Sequence, residues 1–373
     1  MLVTLLAVFV FVLAWANGAN DNFKGVATLY GSSTTTFRRA LIWATGATLA
    51  GSLLSVALAS RLVGAFGGKG LVPDEFLGSG LLVAVAGAAA VTILLATILG
   101  MPTSTTHALT GALVGAGLAA AGQTGIGWDA LATRFAQPLL LSPVLSIGLT
   151  AVLYLGFRAV RRGLGVGKET CVCVAEGELV SLGASASSAV AAATGPPVRI
   201  GVGRVEECVE RYAGRVFGVS AQGAVDFVHY LSAGAVCFAR AVNDTPKIAA
   251  LLFGVVALGT SLTVPILATV ALSMAAGGWL QSRKVAENMS KHITELNTGQ
   301  GLTANLTTAF LVLGASRMGV PVSTTHVSCG AIFGIGMVNG KREWSTIGKI
   351  AATWLTTLPL GFALGFGLYL VLA

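Results

Sequence analysis

The sequence predicts an all-α polytopic membrane protein built from two inverted-topology repeats of about five crossings each, with broken or re-entrant helices. Three observations carry that prediction. Of the 373 residues, 54% are hydrophobic and only 10% are charged, against roughly 25% charged in an average soluble domain. The apolar residues gather into runs close to the ~20 that a helix needs to cross a bilayer. Two polar stretches also occur twice: Asn20-Asp21-Asn22-Phe23-Lys24 matches Asn243-Asp244-Thr245-Pro246-Lys247, and Pro102-Thr103-Ser104-Thr105-Thr106-His107 matches Pro321-Val322-Ser323-Thr324-Thr325-His326. Asp244 follows Asp21 by 223 positions and His326 follows His107 by 219, so the chain holds two copies of one plan.

In order, the first apolar run spans Leu2 to Ala16, meets the Asn-Asp stretch and resumes from Gly25 to Tyr30. Neither piece is long enough alone, so together they are expected to make one discontinuous crossing. Arg38 and Arg39 close it, and further crossings are predicted at Leu41 to Ala59, Gly80 to Leu99, Thr105 to Ala120 and Pro138 to Phe157. The second repeat offers Val225 to Ala239 with its continuation to Leu258, then Leu262 to Leu280, Leu302 to Ala315, Thr324 to Val338 and Ile347 to Leu370. An odd number of crossings per repeat turns the second copy upside down, as in many secondary transporters. Re-entrant hairpins in place of some crossings would keep that inversion.

The chain divides into a first membrane repeat (1–157), a central loop (158–224) and a second membrane repeat (225–373). Arg158, Arg161, Arg162, Lys168, Arg199, Arg204, Arg211 and Arg215 put the central loop in the cytoplasm by the positive-inside rule. Parity then assigns the same side to Arg38-Arg39, to Arg283-Lys284 with Lys291, and to Lys341-Arg342, all of them basic; both termini face outward. The net charge of +8 is accounted for by these loops and calls for no nucleic-acid partner. The central loop reads as a solvated linker with an amphipathic helix near Val205 to Val216, a small regulatory domain being the second reading. Glu287, Lys291 and Glu295 are expected to form i,i+4 pairs on a helix in the 281–300 connection.

Several classes fall away. Cys171, Cys173 and Cys208 are weak evidence for a metal site, reduced thiols on the cytoplasmic side being the favoured reading, and five scattered cysteines make no disulfide framework. The apolar start lacks a basic n-region and reads as a retained segment, not a signal peptide. No Gly-x-x-x-x-Gly-Lys stretch appears, which leaves ATP-driven pumping unsupported. Abundant glycine, 49 residues, suits close helix packing in lipid.

The chemistry resides in the duplicated stretches. An ionised carboxylate at membrane depth costs at least about 2.5–3.5 kcal/mol unless paired or hydrated, so Asp21 and Asp244 are functional candidates. Pairing with Lys24 and Lys247 one turn on is the structural alternative. Carboxylate, the amides of Asn20 and Asn243, and freed carbonyls make an oxygen-rich set for a hard cation; sodium is the first choice and the proton the second. Pro102 and Pro321 stop the preceding helices, and Ser104 and Ser323 are natural N-caps for the next. Helix N-termini attract anions, and Ser104, Thr105, Thr106, Ser323, Thr324 and Thr325 add hydroxyl donors for a tetrahedral oxyanion. His107 and His326, like Lys24 and Lys247, are expected to support these ligands from behind. A serine–histidine hydrolase is disfavoured because no acidic residue orients either imidazole from nearby in sequence. The chain is therefore read as a non-enzyme without a resident cofactor.

These motifs resemble the inorganic phosphate transporter (PiT) family of secondary permeases, through Gly18-Ala19-Asn20-Asp21, the second Asn243-Asp244 and Pro-x-Ser-Thr-Thr-His in both halves. The resemblance implies phosphate import coupled to a cation by alternating access, a multi-pass plasma or inner-membrane protein, and a homodimer. It also implies that Asn20, Asp21, Asn243, Asp244 and the runs at 104–106 and 323–325 line the phosphate and cation sites. Lys24 departs from the smaller residues of many members, and Arg240-Ala241-Val242 replaces Gly-Ala in the second motif. Those departures keep sulfate or another oxyanion open as substrate. An ion channel is the alternative from another class.

Overall fold

The computed structural model describes residues 1–174, 198–202, 211–216, 218–256, 260–291 and 293–372. Thirteen helices occupy most of them: α1 Leu2–Asp21, α2 Ala27–Gly31, α3 Phe37–Phe66, α4 Ser79–Ile98, α5 Thr105–Ala121, α6 Trp128–Ala130, α7 Gln137–Gly163, α8 Ala221–Phe253, α9 Thr263–Gln281, α10 Arg283–Lys291, α11 Thr298–Met318, α12 Thr324–Asn339 and α13 Trp344–Leu372. A π-helical turn at Leu131–Ala136 joins α6 to α7. Seven spans among the described residues are long and apolar enough to cross a membrane: α1, α3, α4, the continuous α6–α7 stretch, α8, α9 and α13.

Three further helices correspond to predicted crossings but lie outside that set. α5 has 17 residues and α12 has 16, short of the ~20 required. α11 is long enough, with 21 residues, but carries Thr298, Gln300, Thr303, Asn305, Thr307 and Thr308 as buried polar positions. α4–α5 and α11–α12 are helical hairpins whose members pack on each other. Gly100 and Gly319, both just before the motif prolines, make the turns with positive φ of 73°, a conformation that costs residues with a Cβ about 1–2 kcal/mol.

The Asn-Asp stretches also differ from expectation. α1 runs unbroken to Asp21, and the break follows the aspartate at 22–26. α8 passes through Asn243 to Lys247 without interruption, with Pro246 inside the helix. The polar residues sit on helical backbone, supported by side-chain partners from other helices.

Packing repeats with the sequence. α1 packs on α9, and α8 on α3; α1 packs on α4, and α8 on α11; α5 packs on α13, and α12 on α7. Each such pair of contacts exchanges first-half helices for their second-half counterparts, so the two repeats are intertwined. Even the irregularities match. Ala59 is non-helical inside α3 (φ −142°, ψ 35°), and Ser282, 223 positions on, separates α9 from α10. Glycines provide the closest approaches: a Cβ at Gly111 or Gly115 would overlap the Leu358 or Phe362 carbonyl of α13, and Gly361 and Gly365 meet Ala108 and Ala112 of α5. Small residues one turn apart let backbones touch where lipid supplies no hydrophobic drive.

The basic connections gather at one end. The Thr34 hydroxyl, near Arg38-Arg39, lies 3.5 Å from that of Thr298; Arg283 and Lys291 stack over Phe37 and Tyr30; Thr294 bridges to Arg342. Tyr212 of the central segment donates to Asn297 at 3.0 Å. A separate junction forms where Gly127 N donates to the Leu71 carbonyl at 3.0 Å.

The described residues of the central segment form short strands in place of the C-terminal part of the expected helix. β1 (Gly167–Val174) pairs in parallel with β2 (Val198–Val202) and antiparallel with β3 (Arg211–Ala213), and β4 (Arg215–Val216) pairs with β5 (Val219–Ser220). Arg211–Ala213 and Arg215–Val216 are thus short strands separated by a bend at Gly214 (φ 118°), with Tyr212 and Val216 suited to strand; 203–210, with Cys208, lies outside the described residues. In the 281–300 connection, helix α10 stops at Lys291. Glu287 pairs with Arg283 at 3.1 Å, and Glu295 pairs with Lys341 at 2.7 Å across to the other side of the α11–α12 hairpin; His292 lies outside the described residues.

Candidate functional site

Two apolar clusters adjoin at the Asn-Asp stretch of α1. One takes in Leu13 and Ala16 with α4 and α5; the other takes in Phe23 and Val26 with α10 and α12. Between them lie Asp21, Lys24, Arg240, Asp244 and Lys247, each at most 2% exposed. Three cationic side chains face two carboxylates. Removing an ion from water costs several kcal/mol even after relaxation, so each needs close partners.

The α4–α5 and α11–α12 turns meet at this cluster. Ser104 and Ser323 cap α5 and α12 as the sequence predicts, each accepting the histidine N–H three residues on at 3.2 Å. Across the halves, Thr106 donates to the Val322 carbonyl at 2.9 Å, and Thr325 donates to the Thr103 carbonyl. His107 and His326 touch with ring centroids 4.5 Å apart, and His326 lies on Trp354 of α13. The structure therefore brings both hydroxyl motifs together. All the predicted site residues are buried except His107, which is half-buried.

The lysines are placed reciprocally. Lys24 Nζ donates to its own Asp21 Oδ1, to the Thr103 carbonyl at 2.9 Å, and to Thr325 Oγ1 of the other half. Lys247 Nζ lies 3.4 Å from Asp244 Oδ1, 2.9 Å from the Val322 carbonyl and 2.7 Å from Thr106 Oγ1 of the first half. The pairing with the neighbouring carboxylate is real, and it is only one of three contacts for each lysine.

The asparagines serve the turns. Asn20 Nδ2 donates to Thr97 Oγ1 and the Met101 carbonyl, both at 3.0 Å, while its Oδ1 accepts Thr103 N–H at 3.0 Å. Asn243 Nδ2 reaches the Val322 carbonyl at 3.3 Å, and its Oδ1 accepts from Ser316 at 3.1 Å. Both hold the hairpin turns against the first helix of their own half.

Asn17, absent from the predicted site, sits at its centre. Its Nδ2 faces Thr105 Oγ1 at 2.8 Å, Asp21 Oδ2 at 3.2 Å and Asp244 Oδ2 at 3.3 Å, so one amide spans both carboxylates. Arg240 donates to Asn17 Oδ1 at 3.0 Å and to Thr48 Oγ1 at 2.9 Å, and lies 4.0 Å from Asp244 Oδ2. Its Nε has no hydrogen-bond partner among the described residues. The available signal was positional: Asn17 and Arg240 are both polar at matched places, four residues before the aspartates.

The comparisons agree with this architecture. The phosphate transporter family profile matches residues 17–365. Among curated relatives, "Inorganic phosphate transporter 2-1, chloroplastic" of Arabidopsis thaliana is 27% identical over 417 residues, covering 95% of this chain and 70% of that protein. A "Probable low-affinity inorganic phosphate transporter" of Mycobacterium bovis is 27% identical over 373 residues, covering 97% and 76%. A solved structure, "The sodium-dependent phosphate transporter", superposes with a TM-score of 0.76 at 21% identity, covering 100% of this chain and 98% of that one; it shows a shared fold. With the family profile spanning nearly every membrane helix and both duplicated motifs, this chain belongs to the phosphate transporter family.

Proposed function

We propose that the chain imports inorganic phosphate by secondary active transport, with a cation as coupling ion and alternating access between two inverted repeats. One observation carries the reading: two helix N-termini, one from each half, converge with hydroxyl donors on a closed cluster in which cations outnumber carboxylates. Such N-termini present unpaired N–H groups and a partial positive charge to an anion. Ser104, Thr105, Thr106, Ser323, Thr324 and Thr325 line the anion path, and the free Nε of Arg240 adds a charged donor. Asp21 and Asp244 are where a coupling cation acts. The structural neighbour is by name sodium-dependent, which supports sodium; the proton is the other cation that a buried carboxylate exchanges.

The bonds that cross between the halves, at Thr106–Val322 and Thr325–Thr103, are the ones a rocking motion would break and remake. In the arrangement described, the site residues other than His107 are buried, which suits the occluded step of such a cycle. The clustering of the basic connections at one end supports a cytoplasmic central segment and outward termini. The membrane concerned is taken to be the plasma or inner membrane, and the assembly a homodimer.

Uptake of labelled phosphate into proteoliposomes, with unlabelled sulfate as competitor, tests the reading. Saturable, gradient-dependent uptake that sulfate leaves intact supports it. Block by sulfate moves the substrate to another tetrahedral oxyanion, and non-saturating flux indicates a channel. The mass of the detergent-solubilised protein decides the dimer.

A further inference from the structure

A sodium ion at the aspartates needs a ring of oxygens, and the two rings that the fold provides are already in use. The first consists of Asp21 Oδ1, the Thr103 carbonyl and Thr325 Oγ1; the second of Asp244 Oδ1, the Val322 carbonyl and Thr106 Oγ1. Each combines a carboxylate, a main-chain carbonyl from the turn of its own half and a threonine hydroxyl from the other half. That is donor chemistry for a hard cation. At the centre of each stands a lysine ammonium. It has three N–H donors and no acceptor, and three oxygens meet it in each case. Both lysines are closed off, at 2% and 0% exposure, and Lys247 is further held over the Phe66 ring at 5.5 Å. The residues present do not fit a bound sodium at either place.

Building on the phosphate-transport reading above, we propose that Lys24 and Lys247 are built-in counter-cations, tethered ammonium groups in the two places a coupling sodium would take. This chain then moves its anion without sodium. The lysines spend all their donors on these rings and leave none for substrate. Arg240, the third cation, supplies the surplus positive charge that the anion meets.

Two measurements on the purified full-length protein test this. The first is equilibrium binding of radiolabelled sodium, which needs no anion. The wild type is expected to bind none saturably, and Lys24→Asn and Lys247→Asn, which shorten the side chain and empty one ring each, are expected to gain a saturable sodium site. Saturable sodium binding by the wild type overturns the proposal; this arm decides the matter even if a variant does not fold. Well-folded variants that bind no sodium also overturn it, because the rings would then not be cation sites. The second is labelled phosphate uptake into proteoliposomes with sodium or choline outside, with and without an inward proton gradient. Expected is uptake indifferent to sodium under either condition; sodium-driven uptake overturns it. Absence of phosphate uptake under every gradient, with sodium binding still absent in the wild type and gained in the variants, would count against phosphate as substrate and leave the lysine assignment standing.

Discussion

Arg240 and Asn17 occupy the same place in the two repeats, 223 positions apart, and they are hydrogen-bonded to each other at 3.0 Å. The repeat relation thus runs through the contact itself: what one half provides as an amide the other provides as a guanidinium. Asn17 then passes its remaining bonds to both carboxylates, and Arg240 passes its own to Thr48 and, at 3.4 Å, Asn22.

Arg240→Leu should therefore destabilise the fold by about 3–5 kcal/mol, the range for removing one partner of a buried ionic contact. Arg240→Lys should lose less, since it keeps the charge and gives up the planar fork. Unfolding in detergent checks both; equal losses would show that the fork has no special part.

Asp21→Asn and Asp244→Asn should each abolish gradient-coupled uptake. Each also leaves a buried ammonium without its carboxylate, so a loss of stability should accompany the loss of activity. The double variant Asp21→Asn/Lys24→Met should recover stability by size-exclusion profile and unfolding midpoint without recovering coupling. Wild-type uptake by either single variant would remove the aspartates from the mechanism.

Ser104 and Ser323 separate capping from substrate contact. Ser→Ala at either should cost about 1 kcal/mol of stability, and Ser→Gly only a few tenths. Since a hydroxyl that accepts the histidine N–H still has its own proton to donate, KM for phosphate should rise in both replacements. A KM unchanged in the glycine variants would reduce these serines to caps.

Gly115→Val should force α5 away from the Phe362 backbone of α13 and cost ~1–3 kcal/mol or more, as overpacking does. Gly156→Ala is the control, because nothing lies within 4 Å of the added Cβ. At that helical position alanine should be neutral or stabilising by up to about 1 kcal/mol. Paired unfolding measurements decide it.

The duplicated polar stretches were legible because buried hydroxyls, carboxylates and prolines in apolar runs are too costly to be incidental. Their local roles followed from residue type, as the two serine caps illustrate. What periodicity could not reveal was which helices reach across. Asn17 is marked in sequence only by its place four residues before an aspartate, matched by Arg240; its importance arises from contacts with Asp244 and Arg240, more than 220 residues away. Hairpin and crossing were likewise hard to separate, because α5 and α12 are apolar and fall short by only a turn. The reading of Val205 to Val216 as an amphipathic helix failed in its described part, where Arg211–Ala213 pairs with the distant β1: Val205, Cys208, Tyr212 and Val216 do fall at helical spacing, and a partner strand more than 30 residues away left no local signal.

The intertwining of the repeats also sets a timetable for assembly. α1 leaves the ribosome long before α9, the helix it packs against, and at ~5–20 residues per second the wait is roughly 10–50 s. Throughout that interval Asp21 must sit in the translocon or the bilayer without Asp244, Arg240 or the second hairpin. Lys24, one turn away, is the cation already at hand. The same ammonium that completes the finished site therefore shields the nascent carboxylate, and neither half of the chain is a folding unit that can finish before the other arrives.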